Sequence, residues 1–170
     1  MTPQDLRPDL EHRRQQTYVG RTEAVTMATI DRAADRIPEI ITWLGEHGVA
    51  PAGAPFLRYR VIDMEGAVVV EAGVPVDDSA IGASVEQSEL QLQSLPAGRY
   101  VTVTHHGHVD ELTGVNAALM AWAAEQGITW DMSTADDGQH WTCRLETYLT
   151  NPVEQPDPHQ WMTLLAMKTT

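Results

Sequence analysis

The chain runs through one order of patterns twice. A strand-like stretch, a helix-period stretch ending at glycine and two further strand-like stretches cover residues 16–78, and the same order returns over 88–170. In the first pass, Gln16 to Thr26 carries Tyr18, Val19 and Val25 among polar residues, as a half-buried strand does. Ile30, Ala33, Ala34, Ile37, Ile41 and Leu44 then follow helical spacing, with a kink or break expected near Arg36 to Pro38 because proline interrupts the ladder. Phe56 to Ile62 and Ala67 to Val76 read as two strands turned back at Met64-Glu65-Gly66.

In the second pass, Leu90 to His105 is strand-like and broken at Pro96-Ala97-Gly98. Asp110 to Gly127 is the strongest helix, with Leu112, Val115, Leu119 and Trp122 at three- and four-residue steps, Asp110 as cap and Gly127 as terminator. Ile128 to Met132 is extended, Asp136-Asp137-Gly138 turns, and the strands around Glu146 and from Trp161 to Lys168 follow. Each helix carries a tryptophan near its end, Trp43 and Trp122. The pattern predicts an α+β fold. Duplicated strand-helix-strand-strand units would form one antiparallel or mixed sheet, with two main helices on one face and a ligand groove on the other, where the halves meet. Residues 1–15 are expected as a loose arm, 16–170 as one domain, and Asp77 to Glu89 as a linker.

Charge narrows the partners. Eleven basic against 24 acidic residues give −13, and Arg13-Arg14 is the only adjacent basic pair. Direct nucleic-acid binding needs a basic patch and is not expected. No apolar run is long enough to span a membrane, and the first residues lack a basic-then-apolar leader pattern. One cysteine, Cys143, forbids an intrachain disulfide. A cytoplasmic protein is the expectation.

The residue that most needs a reason is Glu146. In Trp141 to Asn151 alternation puts Thr142, Arg144, Glu146 and Tyr148 on one face and Cys143, Leu145, Thr147 and Leu149 on the other. The second face is the more apolar and suits a helix-covered core. The first sets a carboxylate between a guanidinium and a phenol, although strand interiors disfavour glutamate. An exposed sheet face with a cross-strand partner explains it, and so does the floor of a ligand groove. Tyr59, Tyr100, Trp130, Trp141, Tyr148 and Trp161 all fall on strands or their edges, and aromatic walls with a carboxylate suit flat cations. Each aromatic can equally fill the core.

His105-His106-Gly107-His108 does not have ligand spacing and the histidines at 12, 47, 140 and 159 are scattered, so neither a metal nor another cofactor is expected. His105 reads as a strand-end residue at the groove rim. No nucleophile elbow or phosphate-binding glycine loop is present, and Cys143 reads as inert core. Catalysis, if any, would fall to Glu146, with Glu71 on the matching strand of the first half as the second carboxylate.

Gly98-Arg99-Tyr100, His105-His106-Gly107, a helix ending in Trp122 and Gly127, and Leu145-Glu146-Thr147-Tyr148-Leu149-Thr150-Asn151-Pro152 together resemble the GyrI-like small-molecule-binding domain, the effector-binding domain of AraC- and MerR-type multidrug regulators. Pro55-Phe56 with Tyr59, and Glu71-Ala72-Gly73-Val74-Pro75-Val76, resemble its first-half strands. The resemblance covers residues 16 to 168. It implies a groove for hydrophobic, often cationic, drug-like molecules, with Glu146 as the central acid and Tyr148, Tyr100 and Tyr59 as walls. Phe56, Trp141, Trp130, His105 and Glu71 complete the expected ligand-binding set. Some stand-alone members hydrolyse cyclopropane-bearing toxins, and others act on a topoisomerase, so the resemblance leaves open a hydrolase, a protein partner or a homodimer. Two departures stand out. The arm before Gln16 is too short for a helix-turn-helix domain, and Leu164-Leu165 stand where many relatives place an acid after threonine, which removes a groove carboxylate.

Overall fold

A computed structural model describes residues 6–63, 65–77, 85 and 88–170. Most of the expected linker, and Met64 of the expected turn, lie outside the described residues. The strands are β1 (Asp9–Arg13), β2 (Gln16–Val25), β3 (Phe56–Ile62), β4 (Val68–Pro75), β5 (Gln91–Leu95), β6 (Gly98–His106), β7 (Met132–Ala135), β8 (Gly138–Trp141), β9 (Arg144–Tyr148) and β10 (Met162–Lys168). The α-helices that lie wholly within the described residues are α1 (Asp31–Ala34), α2 (Arg36–Glu46) and α3 (Leu112–Glu125).

The sheet is antiparallel and runs β1-β6-β10-β9-β3-β4-β2-β5, with the β7–β8 hairpin attached through β8 to β3. The duplication is visible in that order. The first half contributes β2-β4-β3 and the second β6-β10-β9, so each half places its third strand between the other two. The halves meet where β3 pairs with β9. The helix ends match as well. Gly48 and Gly127 each take φ of +69°, and the following amides, of Val49 and Ile128, each reach back to Leu44 and Ala123 carbonyls at 2.9 Å. This left-handed closure is the geometry glycine permits at low cost.

The sheet curls. Arg13 pairs with Gly98 and Gln16 with Leu95, so β1–β2 and β5–β6 form two long bent strands in one register. Curling creates two apolar faces rather than one. On the outer face α2 covers Val19, Leu57, Val70 and Val74, while α3 covers Val101, Val103, Leu165 and Met167. On the inner face Tyr18, Phe56, Leu95, Tyr100, Cys143, Leu145 and Ala166 form a third core with no helical residue in it.

Two expectations change. Asp9–Arg13, expected within a loose arm, is a strand paired to β6. The break expected near Arg36 to Pro38 is present at Asp35, and it leaves Pro38 in the first turn of α2, where its missing N–H is tolerated. Asp110 is not a cap: it lies inside the 3-10 turn Val109–Glu111 that leads into α3, and that turn is capped by His108, whose Nδ1 accepts from the Asp110 amide at 3.1 Å. No described helix is long and apolar enough to cross a membrane.

Candidate functional site

Strand β9 positions Glu146 on the seam between the two helix-covered cores. Its cross-strand neighbours are Leu57 on β3 and Leu165 on β10, and these belong to the α2 and α3 cores respectively. The face of the sheet carrying Glu146 is therefore the helix-bearing one. This corrects the expected arrangement, in which the Cys143–Leu145 side faced the helices and Glu146 looked into a groove on the far side. The far side is enclosed by the curl, so it is apolar without any helix.

The carboxylate of Glu146 is held by two phenols. Tyr148 donates to Oε1 at 2.7 Å and Tyr59 donates to Oε2 at 3.0 Å. Both tyrosines pack against the α2 core. Arg144, one alternation away on the same face, lays its guanidinium over the Trp141 ring at 4.6 Å and donates to Asn116 on α3 at 3.2 Å. Trp130 packs against Trp141 with ring centres 5.9 Å apart. Burial pushes the Glu146 carboxyl above its ordinary value, against the two phenol hydrogen bonds and Arg144, which favour the charged form. Burial, then the nearby Glu146 charge, raises Tyr59 and Tyr148, and burial lowers Arg144.

A polar row continues from this point. Tyr148 registers with Thr163, and Thr163 with His105. Thr163 Oγ1 and His105 Nδ1 are buried without a hydrogen-bond partner among the described residues. The structure thus brings Glu146, Tyr148, Tyr59, Trp141 and Trp130 into one neighbourhood and connects His105 to it through Thr163. His105 is not at an exposed rim but buried, its Nε2 within 3.3 Å of the His108 carbonyl.

Glu71, Phe56 and Tyr100 are elsewhere. Alternation in β3, β4 and β6 turns them to the inner face. Phe56 meets Tyr18 edge-on at 5.0 Å, and Tyr100 donates to the Pro96 carbonyl at 2.7 Å. Glu71 has no solvent exposure. It accepts a very short hydrogen bond from Tyr18, one from Thr22 at 3.2 Å, and an ion pair from Arg60 at 3.3 Å. Arg58, 4% exposed, donates to Tyr18 at 2.9 Å, to the Ser94 carbonyl at 3.2 Å and to the Thr142 carbonyl at 2.8 Å. Glu71 and Glu146 therefore cannot act as a pair. The sequence reading passed over Tyr18, Arg58 and Arg60. The signal for them was Arg58 and Arg60 on alternate positions of one strand, beside a strand that also carries a mid-strand acid. Cys143 is fully buried, and burial pushes its thiol up. Among the described residues, no three histidine, cysteine or acidic side chains gather as a metal cluster.

The GyrI-like small molecule binding domain matches residues 7–167. No curated protein sequence matches the chain. Among solved structures, the EcmrR C-terminal domain superposes with a TM-score of 0.73 at 18% identity, covering 98% of each chain. In the EcmrR–DNA complex the TM-score is 0.74 at 19% identity; 96% of this chain is covered, and it spans only 57% of that one. SAV2435 bound to tetraphenylphosphonium gives 0.64 at 13% identity over 97% of this chain and 94% of that one. A hydrolase from Listeria innocua gives 0.57 at 13% identity over 96% and 91%. At such identities these likenesses establish the fold.

Proposed function

Because the chain belongs to the GyrI-like family of small-molecule-binding domains, we propose that it binds a hydrophobic organic cation at Glu146. The observation that carries this reading is a carboxylate held by two phenols on the seam between two apolar cores. A charge kept there is partly stripped of water and gains from a cation that brings its own apolar surface. The rings of Tyr59 and Tyr148 add electron-rich faces for such a cation. Arg144 does not neutralise Glu146 directly, being committed to Trp141 and Asn116. The relative SAV2435 bound to tetraphenylphosphonium points to the same ligand class.

Titration with tetraphenylphosphonium, followed by quenching of tryptophan fluorescence, tests this. Glu146→Gln should weaken binding about tenfold or more, the scale of one partly desolvated charge contact, and should leave binding of neutral triphenylphosphine oxide unchanged. Equal affinity for the cation in wild type and variant would remove Glu146 from the site. The buried, free Cys143 suits a reducing compartment, and a cytoplasmic location goes with this reading.

A second reading follows from the raised Glu146 carboxyl. A carboxylate made more basic by burial can take a proton from water at neutral pH, and one structural relative is a hydrolase. Such an enzyme would have Glu146 and two phenols, with no second carboxylate from Glu71. Incubation with a cyclopropane-bearing alkylator should then yield a product heavier by one water. Failure to exceed the uncatalysed rate would leave binding alone.

A further inference from the structure

We propose that the inner face of the curled sheet holds a second site, for an amphipathic organic anion. The inner face opens in a pocket of about 340 Å³ at the bends between β1 and β2 and between β5 and β6. That lies in the ordinary range for small-ligand sites, roughly 300–1,000 Å³. Its floor is apolar, built from Phe56, Leu95, Tyr100 and Leu145, and its charged lining is Arg13 and Arg14. No carboxylate lines it among the described residues.

The two arginines are not equivalent. Arg13 is already engaged: its Nε donates to Glu11 at 2.6 Å and its guanidinium lies over the Tyr100 ring at 5.4 Å. Arg14 is exposed and has no partner among the described residues, so its five donors are available at the mouth. An independent observation gives the interior the same sign. Arg58 and Arg60 follow Phe56 at alternate positions on the same strand face; Glu71 pairs with Arg60, and Arg58 meets it only through the shared Tyr18 hydroxyl. Arg58 Nε, moreover, is buried without a partner among the described residues. In a chain of net charge −13, this face turns guanidinium groups both to the pocket rim and to the core behind it.

An inorganic anion would leave the floor unused, and a cation would meet arginine at the entrance. A carboxylate on a hydrocarbon or aromatic body uses both features: its head pairs with Arg14 in the bidentate manner guanidinium allows, and its body covers Phe56 and Leu145. The site lies on the opposite side of the sheet from Glu146. The protein would then take ligands of opposite charge on its two faces, and the anion site stands or falls independently of the cation site.

The test uses the full chain with decanoate as the anion and decyltrimethylammonium as the cation of matched length. Calorimetry gives affinities, and amide chemical shifts locate the ligand. Decanoate should bind saturably and move the amides of Arg13 to Gln16, Leu145 and Thr147. Arg14→Glu, at an exposed position, should weaken decanoate about tenfold. Ala54→Trp, which fills the mouth, should abolish it, and both variants should keep tetraphenylphosphonium affinity. The proposal is overturned by absence of saturable decanoate binding, by equal decanoate affinity in either variant, or by shifts confined to Glu146 and its helix-side neighbours. Equal binding of decyltrimethylammonium at the Arg13–Gln16 amides overturns it as well.

Discussion

Tyr148 donates its hydroxyl to Oε1 of Glu146, two residues back on the same strand face, at 2.7 Å. The strand period alone brings the two together, and Tyr59 from the neighbouring half completes the clamp at 3.0 Å. The carboxylate is thus gripped across the β3–β9 junction by one phenol from each half.

Stability should respond to pH through Glu146. Burial raises its folded-state value above the ordinary 4.5, so over that window the native chain holds a proton the unfolded chain has lost. Stability is then highest below the ordinary value and declines as pH rises through the folded value. Glu146→Gln removes this decline. Melting temperatures of both proteins from pH 4 to 8 should show their difference moving in favour of the variant as pH rises. A difference independent of pH would contradict the raised carboxyl.

The two phenols oppose that rise, because they stabilise the charged carboxylate. Tyr148→Phe or Tyr59→Phe should each push the carboxyl higher still. The pH midpoint for tetraphenylphosphonium binding should move upward in both variants. Each should also cost on the order of 1 kcal/mol of stability at neutral pH. An unchanged midpoint would mean that the hydroxyls do not set the charge state.

Glu71 should be structural. Glu71→Gln leaves Arg58 and Arg60 on the inner face without a compensating charge. Arg60 keeps part of its surface in water, so the cost should be about 1–3 kcal/mol, which urea unfolding would measure. Tetraphenylphosphonium affinity of the folded variant should be unaltered, in contrast to Glu146→Gln. A loss of cation binding equal to that of Glu146→Gln would show the two acids to be coupled.

The inner core leaves no room between Gly73 and the ring of Phe56. A Cβ at Gly73 would sit 2.5 Å from Phe56 Cζ and 2.9 Å from Tyr18 Cδ2. Gly73→Ala should therefore destabilise by about 1–3 kcal/mol through overpacking, seen as an earlier urea midpoint with an unchanged slope. Wild-type stability would show that the rings shift freely.

Alternation made much of the site legible in advance. It put Arg144, Glu146 and Tyr148 together and set Cys143 and Leu145 against them, as the strand does. It could not say which side the helices cover. Leu145 lies among Phe56 and Tyr100 under a curl, and such an enclosed surface is as apolar as one beneath a helix. The curl comes from pairing between β1–β2 and β5–β6, contacts too distant in sequence for local pattern to reveal. The same distance hid the Arg58–Tyr18–Glu71 network, whose members come from three strands. Helix ends were easier, because Gly48 and Gly127 act within their own turns; the His108 cap was missed because a histidine nitrogen there substitutes for the usual carboxylate.

The shared ladder of β1–β2 with β5–β6 also governs how the molecule can come apart. It joins residue 9 to residue 102 and residue 20 to residue 91, so it spans the boundary between the repeats. Closing so long a chain segment is entropically slow, and the halves cannot separate without unzipping it. Among the described residues, what it leaves unpaired are the outer edges of β1 and β5, five residues each, largely polar in sequence. Short polar edges are poor templates for a neighbouring chain. The closure that ties the repeats together therefore also guards the protein against edge-to-edge aggregation.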